Sequence, residues 1–468
     1  MRKTLPLLVA ALLAGCSQNP KYVQPGLPTA PEYTGATGQP GLRATDVAWR
    51  NFFGDPQLQA LIERALVNNR DLRIAVLRIE EAHGQYRIQR ADRLPRVGVD
   101  GSATRTRTSG ETGPEPSITS NRFEIGASVA AFELDFWGRV RSLTESARAN
   151  YLATAHAQRA FQISLVADVA ETYLNDRELE ERIALADRAV ASRTKALGIA
   201  KLRLDAGVTS GLDYRQTETL LTQAQTERAN LQLQRARNRN LLDLLVGAPT
   251  AGLPTALPLD AQGIVEHIAP GLPSELLLNR PDILEAEELL RAAYADVGAA
   301  RAARFPRISL TTALGFASSA LSTLLSGGAL TGSLGGNVEY SLFDGGRSRA
   351  NVDVANARQG IAIASYERAI QNGFREVSDG LVARRWLIER MASQQRELEA
   401  QRVRANLATL RYRNGVAGYL EVLDAERELF AAEQQTVATR REQLSNAVDL
   451  YVALGGGVEA GRSDQNLR

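Results

Sequence analysis

The chain has 468 residues, enough for two or three ordinary domains or one large extended one. Its 55 basic and 53 acidic residues are intermixed, so no block of one sign offers an arm for nucleic acid. The single cysteine, Cys16, excludes disulfides and cysteine-rich metal sites, and His83, His156 and His267 lie too far apart to suggest a ligand set.

Arg2 and Lys3 precede an apolar run, Leu5–Ala14, that ends Leu13-Ala14-Gly15-Cys16. A basic start, a short apolar stretch and small residues at the end describe a secretory signal. The run is shorter than the ~20 residues a helix needs to span a bilayer. Its end resembles the bacterial lipoprotein signal, in which the cysteine is acylated and becomes the first mature residue. Lipidation is therefore expected at Cys16. Ser17 stands where an inner-membrane retention signal has aspartate, so the same resemblance points to the outer membrane. Asn19–Gly41, rich in proline and glycine, reads as an extended tether with no core of its own.

Asp55-Pro56 is a helix start, with Leu58, Leu61, Ile62, Ala65 and Leu66 on one apolar face. A second helix is predicted from about Asp71 to before Pro95. The period then changes to two. Val97, Val99, Gly101 and Ala103 alternate with Asp100, Ser102, Thr104 and Thr106; Phe123, Ile125, Ala127, Val129 and Ala131 alternate with Glu124, Gly126, Ser128 and Ala130. This predicts strands over Val97–Thr106 and Phe123–Glu133. From Trp137 to Ala206 no proline interrupts a helical pattern, and 70 helical residues would extend about 105 Å. The chain then turns at Gly207 and returns through a helix at about Asp213–Val246. A proline-rich stretch, Gly247–Pro281, follows.

The plan then repeats. Asp282–Arg304 matches the helix from Asp71, and strands are predicted over Ile308–Phe316 and Leu330–Leu342. Gly346-Arg347-Ser348-Arg349 opens a long helix, as Gly138-Arg139-Val140-Arg141 does. That helix reaches Asn414, bends at Gly415 and returns to Leu454. The bends Leu202–Glu218 and Leu410–Glu426 thus correspond, each with a glycine where one helix ends.

Four strands with one apolar face need closure. Lipid offers no hydrogen bonds to open edges, and about eight strands are the minimum for a barrel. Several chains sharing one membrane barrel meet that need; half of a soluble sandwich is the alternative. The alanine-rich long helices suit a bundle continuing the barrel as a hollow cylinder.

Together these features resemble the TolC-like outer-membrane factors, in their lipoprotein branch of OprM/NodT-type drug-efflux channels. The resemblance runs from Cys16 to Gly457. It is carried by Leu13–Cys16; Pro20-Lys21-Tyr22 with Pro25; Arg280-Pro281-Asp282-Ile283 before Glu285-Ala286-Glu287; Gly298–Ala303 with Phe305-Pro306; Phe343-Asp344-Gly345-Gly346-Arg347; and Leu423-Asp424-Ala425-Glu426. It implies an α+β membrane protein and a homotrimer, with four strands per chain in a shared 12-stranded barrel and helical hairpins forming a periplasmic tunnel. It also implies two partners, a periplasmic adaptor and an inner-membrane pump of the proton-driven RND type. The expected division is 1–15 signal, 16–54 lipid-anchored extended segment, 55–247 first repeat, 248–280 equatorial linker, 281–457 second repeat, and 458–468 disordered tail.

No nucleophile-and-base set stands at motif spacing, and no enzyme, cofactor or metal is expected. Gly345-Gly346 lacks the spacing and the lysine of a phosphate loop and reads as a strand-to-helix turn. Function would lie in conduction and gating. Leu420 and Asp424 are four apart on a helix and share a face. In the resembling family these positions close the periplasmic end, so one apolar and one acidic ring are implied. The alternative for Asp424 is a first-turn acid that faces the helix dipole and Arg427; for Leu420 it is packing against the neighbouring hairpin. Gly207, Val208, Gly415 and Val416 are expected at the turns and at the adaptor contact. Asp205, Asp213, Arg411, Tyr412 and Arg413 are candidates for bonds that close hairpin on hairpin. A same-fold channel for secreted protein or metal ions, and a coiled-coil periplasmic lipoprotein without a pore, remain as other readings.

Overall fold

In the computed structural model the described residues are 18–35, 41–108, 117–250 and 252–457. Cys16, the signal and the tail 458–468 lie outside the described residues. In chain order the helices are α1 (Trp49–Phe52), α2 (Pro56–Asn68), α3 (Arg70–Ala91), α4 (Arg139–Asp205), α5 (Gly211–Val246), α6 (Leu276–Asn279), α7 (Pro281–Ala302), α8 (Arg347–Arg413) and α9 (Tyr419–Ala453). The strands are β1 (Leu42–Arg43), β2 (Val97–Thr108), β3 (Ile118–Glu133), β4 (Ile268–Ala269), β5 (Arg307–Ser318) and β6 (Leu330–Glu339). The chain divides into two compact units. One takes Met1–Gly26, Arg78–Ala155 and Glu285–Tyr366; the other takes Leu27–Leu77, His156–Leu284 and Glu367–Arg468.

The first unit holds an antiparallel sheet in the order β2-β3-β5-β6. The register aligns the apolar residues of all four strands. Val97 faces Val129, Val99 faces Ala127, Ile125 faces Phe316, and Phe316 faces Leu330. The other face carries Asp100, Ser102, Glu124, Ser128, Ser333 and Asn337. Val97, Val99, Leu314, Leu334 and Val338 are exposed, so the apolar face is left uncovered by the chain itself. Among the described residues no helix is long and apolar enough to cross a membrane.

Two strand expectations need correction. The alternation does not continue through Ala131, because a bulge separates Val129 from Phe132 and Phe132 pairs with Leu310. Ala131 takes a left-handed φ of 49° and its N–H donates to Thr311 Oγ1 at 3.3 Å. The extra residue moves Phe132, rather than Ala131, onto the apolar face. Beyond the bulge, Glu133 accepts from Arg139 at 2.6 Å and pairs with Arg307 at 2.7 Å. The last strand ends at Glu339, not Leu342. Tyr340 and Leu342 are exposed beyond it, where the Asp344 carboxylate accepts from the Gly346 and Ser348 N–H groups at 2.9 and 2.8 Å. That turn fixes the start of α8 and needs no phosphate.

The N-terminal segment is also more embedded than a tether. Within the first unit Tyr22 donates to Glu287 at 3.0 Å and meets Tyr294 edge-on, while Gln24 donates to Tyr366 at 3.1 Å. Within the second, Trp49–Phe52 is helical and Phe52 stacks on Tyr451 with ring centroids 4.0 Å apart. The segment is rich in proline and glycine, yet Tyr33, Trp49 and Phe52 are buried.

In the second unit Asp55 is fully buried. Its carboxylate caps α2 through the Gln57 N–H at 2.8 Å. It also accepts from the Tyr173 hydroxyl at 2.5 Å, the Leu257 N–H at 3.1 Å and Gln262 Nε2 at 3.2 Å. α2, α4 and the linker thus meet on one side chain. The parallel pair β1–β4 joins the N-terminal segment to the same linker. Arg280 acts likewise at the start of α7, with Asp282 at 2.6 Å, Glu376 at 2.8 Å and the Ala453 carbonyl at 3.0 Å.

Candidate functional site

α4 and α8 are 67 residues each, about 100 Å of helix. Both stop in the same way. Gly207 and Gly415 take φ of 71° and 73°, a region costly for any residue with a Cβ. Their N–H groups donate to Leu204 and Tyr412, and the next residues, Val208 and Val416, donate to Arg203 and Arg411, all at 2.9–3.0 Å. These paired bonds form Schellman motifs, which satisfy the last carbonyls of each helix. They leave Val208 and Val416 exposed at the tips.

The return helices begin differently. Ser210 and Asp213 form a capping box on α5, and Thr209 Oγ1 adds a bond to Asp213 at 2.8 Å. These donors hold the exposed Asp213 carboxyl below its ordinary range. α9 starts at Gly418, which has no side chain to cap with. Its first turn is secured instead by Glu421, paired with Arg411 at 3.0 Å across the bend. Ala405, Ala408, Val422 and Ala425 pack under this bend with Tyr412, Tyr419 and Leu429. Burial pushes the Tyr419 hydroxyl up to about 12 and raises the Glu426 carboxyl, which Arg193 partly offsets.

Leu420 is 63% exposed, so it does not pack on a neighbouring hairpin within the chain. Asp424 is engaged on both oxygens, by Arg404 at 2.5 Å and Arg427 at 2.7 Å. The Arg427 contact is as the sequence allows; the first-turn acid is Glu421, not Asp424. Of the five polar residues expected to bond hairpin to hairpin, Tyr412 does so within the chain. Its hydroxyl accepts from Arg203, whose guanidinium also lies over the ring, 5.3 Å from the centroid. Asp205 instead pairs with Lys201 on its own helix at 3.4 Å. Asp213 and Arg411 bond within their own hairpins, and Arg413 is exposed without an ion pair among the described residues. Sequence reasoning missed Arg203, Arg404 and Glu421. An i,i+4 pattern cannot reveal bonds that cross a bend.

A carboxyl pair between α4 and α9 was also missed. Burial pushes Glu171 up to about 8, helped by a hydrogen bond to Asp449 and by Asp168, against Arg441. An acid with a raised folded value binds more protons native than unfolded. Stability therefore falls as pH rises from the ordinary 4.5 toward about 8. Melting temperatures in detergent across that window are expected to decline, and Glu171→Gln is expected to flatten the slope. An unchanged slope in the variant would place the titrating group elsewhere.

A sheet with an uncovered apolar face and two open edges, with glycine-ended helical hairpins in the same chain, defines a class: a subunit of an outer-membrane channel. The chain belongs to the outer membrane efflux protein family, whose model matches residues 61–248 and 272–456. It is 40% identical over 465 residues to a solvent efflux pump outer membrane protein, SrpC, of Pseudomonas putida, covering 97% of this chain and 98% of the relative. It is 39% identical over 461 residues to the cation efflux system protein CusC of Escherichia coli, covering 97% and 98%. The crystal structure of the open state of the MtrE outer membrane channel of Neisseria gonorrhoeae superposes with a TM-score of 0.87 at 37% identity, covering 94% and 98%.

Proposed function

We propose that three copies of this chain form one outer-membrane conduit that carries drugs and other small toxic compounds outward from an inner-membrane RND pump, through a periplasmic adaptor. One observation carries the reading: β2 and β6 are open edges of a sheet whose apolar face is bare. In lipid such edges must be paired, and copies of the same sheet supply the partners. Exposed apolar residues on α5 (Leu233, Leu241, Leu244) and α8 (Val403, Leu407, Leu410) fit the same assembly, since neighbouring copies would cover them. Three chains give twelve strands, within the range of known barrels. Acylation of Cys16 would add a lipid anchor, and the two matched stretches support a repeat at 55–247 and 281–457. Leu420 and Asp424 form the gate, and Val208 and Val416 with their glycines form the adaptor contact.

Purified protein is expected to run as a trimer by light scattering in detergent and to form discrete pores in planar bilayers. A monomer without pores would remove the channel reading. The solvent and cation relatives have nearly equal identity, so similarity does not select the cargo. Susceptibility of cells with and without the chain, alongside co-purification of pump and adaptor, assigns it.

A further inference from the structure

The outward face of the sheet changes character at one end. Arg105 and Arg107 share the parity of Val97, Val99 and Ala103, so they continue the apolar face rather than the polar one. They stand two and four residues beyond Ala103, about 7 and 14 Å further along the strand. Their cross-strand partners are Asn121 and Thr119. Both arginines are exposed, and among the described residues neither has an ion pair. By contrast, Arg122, on the opposite face of the same two strands, pairs with Glu124.

The ends of β2 and β3 nearest the helices are Val97 and Glu133, next to α3 and α4. Arg105 and Arg107 therefore lie at the end away from the helices. On the shared-barrel reading, on which this inference rests, that is the outer leaflet of the membrane. Among the described residues, no carboxylate shares the outward face there; the positions are Thr119, Asn121, Phe123, Phe316, Ser318 and Leu330. Two cations directly above an apolar belt meet what a lipid presents at that height, an acyl region below and a headgroup above.

We propose that Arg105 and Arg107 form a docking patch for a phosphorylated glycolipid of the outer leaflet. The guanidinium fork matches phosphate oxygens in pairs, while acyl chains lie on Val99, Phe123, Phe316 and Leu330. Continuity with the lipid-facing belt selects a lipid rather than a soluble anion. With three chains, the patch recurs three times around the barrel.

The test is native mass spectrometry of the full chain in detergent, titrated with diphosphoryl lipid A, its dephosphorylated form and phosphatidylglycerol. Diphosphoryl lipid A is expected to be retained best, with retention falling as salt rises. Arg105→Ser is expected to lower its affinity about fivefold, and the double variant with Arg107→Ser about 25-fold. Arg105→Lys with Arg107→Lys is expected to keep part of the binding through charge alone. Arg122→Ser, on the inward face, is expected to change nothing. Equal retention by the double serine variant, equal loss in Arg122→Ser, or no preference over phosphatidylglycerol would each overturn the proposal. Pore formation is recorded on the same samples. Wild-type pores with any of these three results overturn the lipid patch alone, whereas absence of wild-type pores counts against the channel reading.

Discussion

Replacing Leu420 and Asp424 together by alanine is expected to raise single-channel conductance in planar bilayers about tenfold, because an apolar constriction resists hydration until it is widened. The geometry at the bend gives each residue a separate share. Asp424 is held by Arg404 from α8 and Arg427 from its own helix. Both pairs are partly exposed, so each contributes at most about 1 kcal/mol. Asp424→Ala alone is therefore expected to loosen the α8–α9 contact and give a modest rise. Leu420 has no packing role within the chain that its loss would disturb, since it is 63% exposed. On the gate reading proposed above, its truncation is expected to widen the constriction. Tyr412→Phe removes the bond from Arg203 while keeping the ring beside Tyr419, and is expected to act as Asp424→Ala does. A double variant that remains trimeric and conducts like the unaltered chain would leave Leu420 and Asp424 as turn residues only.

Asp55→Ala is expected to destabilise the second unit by about 4 kcal/mol, the largest single-site loss we foresee. The substitution removes the cap of α2 and strands the buried Tyr173 hydroxyl and the Leu257 N–H. Gln262 suffers less, because its Nε2 also reaches the Leu257 carbonyl at 2.8 Å. Tyr173→Phe removes one donor and leaves Asp55 its other bonds, so about 1 kcal/mol is expected. Thermal unfolding in detergent checks both. A loss below that of Tyr173→Phe would mean that Asp55 does not join α2, α4 and the linker.

Periodicity made the strands legible, because a half-buried strand must alternate whatever its partner. The bulge at Ala131 was not legible. Ala-Ala-Phe continues the alternation on paper, and only the pairing of Phe132 with Leu310, some 180 residues on, requires the extra residue. The bends were legible through Gly207 and Gly415, since a helix end in the left-handed region strongly favours glycine. What each bend is tied to was not legible. Ser210 and Asp213 are close in sequence and form a familiar cap, but Arg404 and Asp424 lie twenty residues apart on opposite sides of a turn. Similarly, Asp55-Pro56 announces a helix start, yet says nothing of Tyr173.

Sequence alone therefore determined the types of the long helices and of the four long strands, the duplication, the apolar parity of the sheet and the position of both turns. All of these follow from backbone geometry acting over a few residues. The tertiary structure alone decided that Tyr412 is one of the residues linking the hairpins, that Asp424 is held from two helices, that Asp55 is shared by three segments and that Arg105 and Arg107 have no ion pair among the described residues. Those depend on strand register and on how long helices rotate against one another. A rotation of one residue, about 100°, turns a side chain from its partner toward solvent, and no local pattern records it.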